Sequence, residues 1–486
     1  MKYPALILFA CAVFLVCFLP VLPLKEPTEG RYALIARDVC ENGHWISPNL
    51  IHNGASVPFT GKPPLHFWLT AVCMRLFGFN EFSARLPGFL AATILLVLLY
   101  IVLRRYDKRP IAFTAVMITA SSPLFFFLAS AVIVDMTLSL CIVGALLAYG
   151  AFLSESDRRI QSAWSLAVFF FLGLGFMTKG PVAVLLFGLP VFCWTLFSGK
   201  WHTLLHHRWF TGILLFLALT VPWFVGMSRH VPGFLTYFFI HENLLRYVTH
   251  NYGDQFGSGH VFPYGSAIWM FLAGTGIWFL PAVYLLYQRR HTLRSCFSLM
   301  PPLTGICLTG FVAITLFWCC ARQLLMTYLM SAIPLFSIWF AALVYVYYPQ
   351  YLQLINRIAA GLLVAYILGL LIATPFICHY HSLKPALHYA RSTLGSPPVV
   401  SVRKDEYCSV FYAPELIQIH PKETVEDSML RIPVSDTTSV FLTENRYLKR
   451  IPETDSDILS NLWHSGKWNI LRRISAPMTP PNDSKQ

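Results

Sequence analysis

Apolar runs of about 17–25 residues, the length that crosses a hydrocarbon core, recur near 4–24, 82–103, 110–128, 132–153, 162–178, 180–197, 209–228, 264–287, 299–318, 326–347 and 357–377. Each predicts a membrane-spanning helix, about eleven in all. The polar segments between them alternate in character. One set carries Arg104, Arg105, Lys108 and Arg109, then Arg158 and Arg159, Lys200 and Arg208, and Arg289, Arg290 and Arg294. An excess of Lys and Arg marks cytoplasmic loops. The other set is residues 25–81, the turns near Asp135 and Lys179, residues 229–263 and the turn near Arg322, and it is expected on the opposite side.

The longest polar island of the first half runs from Lys25 to Pro64 and is too well patterned for a linker. Tyr32, Ile35, Ala36 and Val39 fall at helical spacing, with Glu29, Arg31, Arg37 and Asp38 on other faces, which suits a helix lying along a membrane surface. After residue 377 the composition changes. Charge rises, and short β-prone runs, Pro398–Val402 and Ser439–Leu442, stand beside helical stretches. The expected organisation is an all-α polytopic membrane domain over 1–377, with 25–81 as its first non-cytoplasmic loop, and a small α/β soluble domain over 378–486. That second unit is expected on the non-cytoplasmic side as a lid or docking module, and its Pro-rich end, APMTPPNDSKQ, is expected to be disordered.

Composition agrees with a membrane protein. The 486 residues are 56% hydrophobic and 12% charged, against about 25% charged in soluble chains. A formal charge of +13 would suit nucleic acid, but the basic residues recur in short clusters between apolar runs, which positive-inside topology explains. The 12 cysteines fall mostly inside apolar segments, and the adjacent Cys319 and Cys320 lack a second ligand pair, so neither a disulfide framework nor a zinc site is indicated. The first apolar run is long for a signal peptide and has no small-x-small site before Lys25, so it is read as an uncleaved helix. No fixed-period repeat is visible, which argues against a secondary transporter built from duplicated bundles.

The unusual polar residues gather on the non-cytoplasmic side. Glu26, Glu29, Arg31 and Tyr32 follow the first run, and Lys62 precedes Pro63-Pro64. Asp135 opens the fourth run, Lys179 lies in MTKGP, His241, Glu242 and Arg246 lie in FFIHENLLRY, and Arg322 and Tyr328 follow the ninth. Ionisable groups at span ends on one side read as a site at the membrane boundary. Several cations with a few carboxylates suit an anionic group such as a phosphate, together with a general base. Duller roles stay open for single residues. An Arg or Lys can snorkel to head groups, Asp135 could cap a helix, and a five-residue offset puts His241 and Arg246 on different faces of a regular helix.

EPTEGRYALIARDVCENGHWISP, GKPPLHFWLTAVCMRLFGFNEFSARLPG, MTKGP, FFIHENLLRY and RQLLMTYLMSAIP, in this order over residues 20 to 335, resemble the bacterial aminoarabinose transferases that modify lipid A. More broadly they resemble the GT-C superfamily, which includes protein O-mannosyltransferases. The resemblance implies an integral inner-membrane glycosyltransferase whose donor is a sugar on undecaprenyl phosphate and whose acceptor, lipid A or another envelope molecule, meets it at the periplasmic face. It implies two interfacial helices, about 31–41 and 64–77, over the cavity. It matches Lys62, Arg246 and Tyr328 to positions that hold the donor phosphate, with Arg31, Tyr32 and Lys179 nearby. It matches His241 to a metal-site histidine, and hence implies a divalent metal.

Two positions depart from that pattern. The family's Pro-Asp-Glu reads Pro27-Thr28-Glu29 here, and a threonine cannot act as a base at neutral pH. The base is then sought among Glu29, Asp135 and, third, Glu26, with Glu29 and Asp135 sharing the work. The family's glutamate before the lysine of Lys-Pro is Gly61 here, which leaves a lone imidazole for the metal. Two other readings compete: a transporter or flippase of lipid-linked sugars, and the same chemistry with a hexose donor and a protein or glycan acceptor.

Overall fold

The computed structural model describes residues 2–52, 55–249, 253–254, 256–258, 260–288, 290, 300–401, 407–418, 439–448 and 459–473. The Pro-rich end and the loop residues Arg289 and Arg294 lie outside the described residues. The membrane part is helical: α1 (Lys2–Phe18), α4 (Glu81–Tyr106), α5 (Arg109–Ser121), α6 (Pro123–Leu128), α7 (Val134–Ser154), α8 (Arg158–Lys179), α9 (Pro181–Ser198), α10 (Trp209–His230), α11 (Ser266–Thr275), α12 (Phe279–Gln288), α13 (Pro302–Cys319), α14 (Ala332–Tyr347) and α15 (Leu352–His381). Among the described residues, eight helical stretches are long and apolar enough to cross a membrane. Helices α1 and α14 are apolar but shorter.

Four of the expected runs are not single helices; the run at 264–287 is divided between α11 and α12 by a 3₁₀ turn at Gly276–Trp278. The run at 110–128 is split between α5 and α6, because Pro123 cannot donate to the helix ladder and holds Ser122 in an extended conformation (ψ 127°). The run at 326–347 begins with a tight 3₁₀ turn, Met326–Leu329, before α14. The first helix stops at Phe18, two residues before Pro20, and the remainder of the expected 4–24 run is turn and irregular structure.

Helix α7 is the centre of the bundle, packed against α8, α4, α13 and α9. Small residues allow this close approach: a Cβ at Gly150 would lie 2.3 Å from Leu303 Cδ1. Helix α15 lies at the periphery, against α5 and α1, with most of its surface facing outward.

The first loop folds into α2 (Thr28–Asn42), an antiparallel hairpin β1–β2 (Asn49–His52 and Ala55–Pro58) and α3 (Leu65–Phe77). Helices α2 and α3 pack together, close to the two interfacial helices expected from the sequence. Beyond α15, α16 (Lys384–Ser392) and α17 (Tyr407–Tyr412) accompany a mixed sheet of order β4-β3-β5-β7-β6. Its strands are β3 (Val399–Ser401), β4 (Ile417–Gln418), β5 (Val440–Glu444), β6 (Leu459–Ser465) and β7 (Trp468–Arg473). The pairings β3–β4 and β3–β5 are parallel, and β5–β7 and β6–β7 antiparallel. Tyr32, Ile35, Phe67, Leu387, Phe411 and Trp468 share one apolar core, which welds this sheet to the first loop.

Candidate active site

Each end of the first loop enters a helix through proline. Pro27 precedes α2, which carries Glu29, Arg31 and Tyr32, and Pro63-Pro64 fix the approach of Lys62 to α3. Asp135 sits in the first turn of α7, but the residue preceding the helix is Ile133 and no side chain caps it, so Asp135 is not a cap. Lys179 is the last residue of α8, where Gly180 (φ 74°) turns the chain. Tyr328 lies in the 3₁₀ turn before α14. Residues Tyr237–Leu245 form a π-helix, and the Arg246 N–H bonds the carbonyl of His241 five residues back. The segment is thus not the regular helix for which different faces were expected, yet Arg246 lines both cavities described below and His241 neither; such stretches are frequent at functional sites.

A cavity of about 490 Å³ gathers Glu26, Glu29, Arg31, Tyr32, Lys62, Arg85, Asp135, Lys179, Glu242, Arg246, Thr327 and Tyr328. A second of about 530 Å³ is mostly apolar, with Val182, Leu185, Phe239, Val248, Phe317 and Trp318 in its wall. Lys62, Lys179, Glu242, Arg246, Tyr328 and Gly61 line both. Of the candidate residues of the sequence reading, all but His241 and Arg322 line the first cavity.

At the shared wall, Lys62 Nζ and Arg246 Nη1 (2.6 Å) both donate to Glu242 Oε1, whose side chain is 2% exposed. The other oxygen, Glu242 Oε2, is buried without a hydrogen-bond partner among the described residues. Lys179 Nζ pairs with Asp135 Oδ1 at 2.5 Å and stands 3.7 Å from the centre of the Tyr328 ring. Loss of hydration raises the Tyr328 phenol above its usual range, against the pull of Arg246 and Lys62, so it stays a neutral donor. Arg31 lies over the Tyr32 ring at 5.2 Å and donates to the Phe256 carbonyl. Thr327 Oγ1 is a buried hydroxyl with no partner among the described residues, a candidate contact for a polar ligand.

The carboxylates are committed. Glu29 accepts from Arg85 Nε (3.2 Å) and Nη2 (2.9 Å), from the Val132 N–H and from the Lys25 N–H. Arg85 also donates to the carbonyls of Leu19, Leu22 and Pro23, so Glu29 closes a hydrogen-bond network that spans the first loop and α4. Glu26 Oε1 accepts from the Cys408 N–H at the start of α17. Of the three acids considered from sequence, Asp135 is the one held by a single side-chain pair within the cavity.

His241 stacks on Tyr237 at 6.0 Å and lines neither cavity. Among the described residues no three His, Cys, Asp or Glu side chains converge on a point, Gly61 offers no ligand, and Glu242 is engaged by two cations. This donor set does not fit the divalent metal expected at His241.

Sequence reasoning missed Arg85, and it placed Glu242 among the ionisable residues of the site without giving it a role. Each left a signal: Arg85 is a charge inside an apolar run, and Glu242 stands four residues before Arg246, the spacing of a helical ion pair.

Comparison with known proteins agrees with the motif reading. Residues 61–225 match the model of the dolichyl-phosphate-mannose-protein mannosyltransferase family. The chain is 26% identical over 313 residues to an undecaprenyl phosphate-alpha-4-amino-4-deoxy-L-arabinose arabinosyl transferase of Erwinia tasmaniensis, covering 62% of this chain and 54% of the relative. It is 25% identical over 392 residues to a Proteus mirabilis protein of that name, covering 80% of this chain and 68% of the relative. The first relatives are thus matched over about half their length. The crystal structure of ArnT from Cupriavidus metallidurans in the apo state superposes with a TM-score of 0.72 at 18% identity, covering 98% of both chains, and that of ArnT bound to undecaprenyl phosphate with 0.71. The archaeal oligosaccharyltransferase AglB from Archaeoglobus fulgidus gives 0.54 at 12% identity, over 92% of this chain and 70% of that one. The chain is a polytopic membrane protein of the GT-C fold, similar in motif and architecture to the aminoarabinose and protein mannosyl transferases.

Proposed function

We propose that this protein is a membrane glycosyltransferase that moves a sugar from undecaprenyl phosphate to an acceptor at the periplasmic face of the bacterial inner membrane. The relatives' names suggest 4-amino-4-deoxy-L-arabinose as the sugar, and lipid A is the acceptor implied by the motif resemblance. One observation carries the reading. Lys62 and Arg246, 184 positions apart, meet at the wall between an apolar cavity and one that gathers the ionisable side chains. That is where a polyprenyl phosphate would lie with its chain in one cavity and its sugar in the other.

In the transfer, an acceptor oxygen bonds to the anomeric carbon while the sugar–phosphate C–O bond breaks and its electron pair leaves with the phosphate. Lys62, Arg246 and the Tyr328 hydroxyl would bind the phosphate as its charge grows, the largest kind of contribution a fixed site makes. The acceptor oxygen must be nucleophilic. An alcohol needs a base, whereas a phosphate monoester, with a second pKa of about 6, is already an anion at neutral pH. Glu26, Glu29, Asp135 and Glu242 are all engaged by cations or N–H groups. An acceptor that brings its own charge suits that arrangement, as does the absence of an acid at Thr28. Asp135 would then orient Lys179 and the sugar, and serve as the base only for an alcohol.

The test is purified protein with labelled undecaprenyl-phosphate sugar and a lipid A precursor. Labelled lipid A is expected, and Lys62→Ala and Arg246→Ala should each nearly abolish it. Translocation of the labelled donor without transfer would replace this reading with a flippase.

A further inference from the structure

Glu242 is placed where a bound phosphate should be. Its Oε1 accepts from both Lys62 and Arg246, the two cations at the wall between the cavities, and the residue is 5% exposed. Lys62 arrives from the first loop and Arg246 from the end of the π-helix, and Glu242 is the side chain that joins them. Two cations on one oxygen, with the second oxygen unpartnered among the described residues, is an unsaturated arrangement. An added anion therefore competes with Glu242 for the same N–H groups.

We propose that Glu242 is an internal stand-in for the donor phosphate: it holds Lys62 and Arg246 together in the empty site, yields them when phosphate arrives, and reclaims them to expel the undecaprenyl phosphate product. This rests on the reading of Lys62 and Arg246 as the phosphate holders. The physical need is plain. The product monoester carries more negative charge than the donor diester, so a site with two unopposed cations would bind product more tightly than substrate. A carboxylate that recaptures the cations lowers that affinity and lets the next donor in. Glu242 is a positioning residue in this scheme, since it acts on the reacting phosphate through Lys62 and Arg246.

The experiment measures binding of undecaprenyl phosphate, and steady-state and single-turnover transfer, with full-length protein in nanodiscs. Glu242→Gln keeps an acceptor oxygen and removes the charge. It is expected to bind undecaprenyl phosphate about 10–100-fold more tightly, the effect of removing one like charge a few ångström away at the effective dielectric of a protein. Its donor KM should fall, and its kcat should fall through slower product release, while the single-turnover rate is retained. Glu242→Asp, too short to reach both cations, should shift binding in the same direction by less, and it carries the test if the Gln variant does not fold. Equal or weaker binding in the folded variants would overturn the inference and assign Glu242 a structural role. Lys62→Ala separates the two failures. If it leaves binding intact, the phosphate site itself is wrong; if it abolishes binding while Glu242→Gln does not tighten it, only the stand-in fails.

Discussion

The two ends of the first loop each hold a buried pair of glutamate and arginine, and the pairs are built differently. At the α2 end, Arg85 spends Nε, Nη1 and Nη2 on Glu29 and on the carbonyls of Leu19, Leu22 and Pro23, and Glu29 adds the N–H groups of Lys25 and Val132. Nothing remains for a ligand. At the Lys62 end, a single glutamate oxygen holds two cations and the other has no partner among the described residues. A saturated network is a fastener, and an unsaturated one at a cavity wall is a place for something to arrive. The contrast separates scaffold from site, although sequence presents both as acids and bases beside a bilayer.

The strongest way to break this contrast is at the fastener. Arg85→Met would leave Glu29 buried and ionised, with three carbonyls losing their donor, and should lower stability by about 3–5 kcal/mol. The check is thermal unfolding in detergent, with loss of transfer following loss of folded protein. Adding Glu29→Gln removes the stranded charge and should recover part of the loss. A variant that melts like the parent but is inactive would place Arg85 in the chemistry and erase the distinction.

These pairs also mark the limit of what sequence could tell. Span positions were legible because apolar length is a local property, and the break at Pro123 was visible in the letters of SSPLFF. Lys62, Arg246 and Tyr328 were reached through motifs in order. Which acid neutralises which base was not legible: Arg85 and Glu29 are 56 positions apart, and Lys62 and Glu242 are 180 apart. The partners that engage Glu29 could therefore not be read beside it. The π-helical turn that carries Glu242 and Arg246 to the cavity wall was hidden for another reason, because helix periodicity does not anticipate it.

A smaller effect sharpens the comparison at Asp135, the carboxylate between the two ends. Asp135→Asn weakens the hold on Lys179 and removes the carboxylate proposed as the base for an alcohol acceptor. With a phosphate acceptor, kcat should fall by less than about ten-fold; a base for an alcohol would be worth about 10²–10⁴-fold. Rates for the variant with each acceptor class, at saturating donor, decide between them. A large loss with lipid A precursor would restore Asp135 as an obligatory base.

The smallest expected effect tests whether the fastened end is independent of the cation end. Gly30 of α2 faces α17: an added Cβ would lie 2.6 Å from Cys408 Sγ and 2.9 Å from its backbone N. That backbone cannot retreat cheaply. The Cys408 N–H is held by Glu26, the Tyr412 hydroxyl accepts from the Leu24 N–H at 2.8 Å and donates to Glu81 at 2.9 Å, and Lys384 pairs with Glu81. Gly30→Ala should therefore cost about 1–3 kcal/mol, the usual penalty for overpacking. It should appear as faster proteolysis of the segment beyond α15 and a slightly lower melting temperature. Donor KM should stay unchanged, because Lys62 and Arg246 take their positions from Glu242 and not from α17. If donor KM rises while the melting temperature holds, the docked segment reaches the phosphate site through α2, and the two ends work as one device.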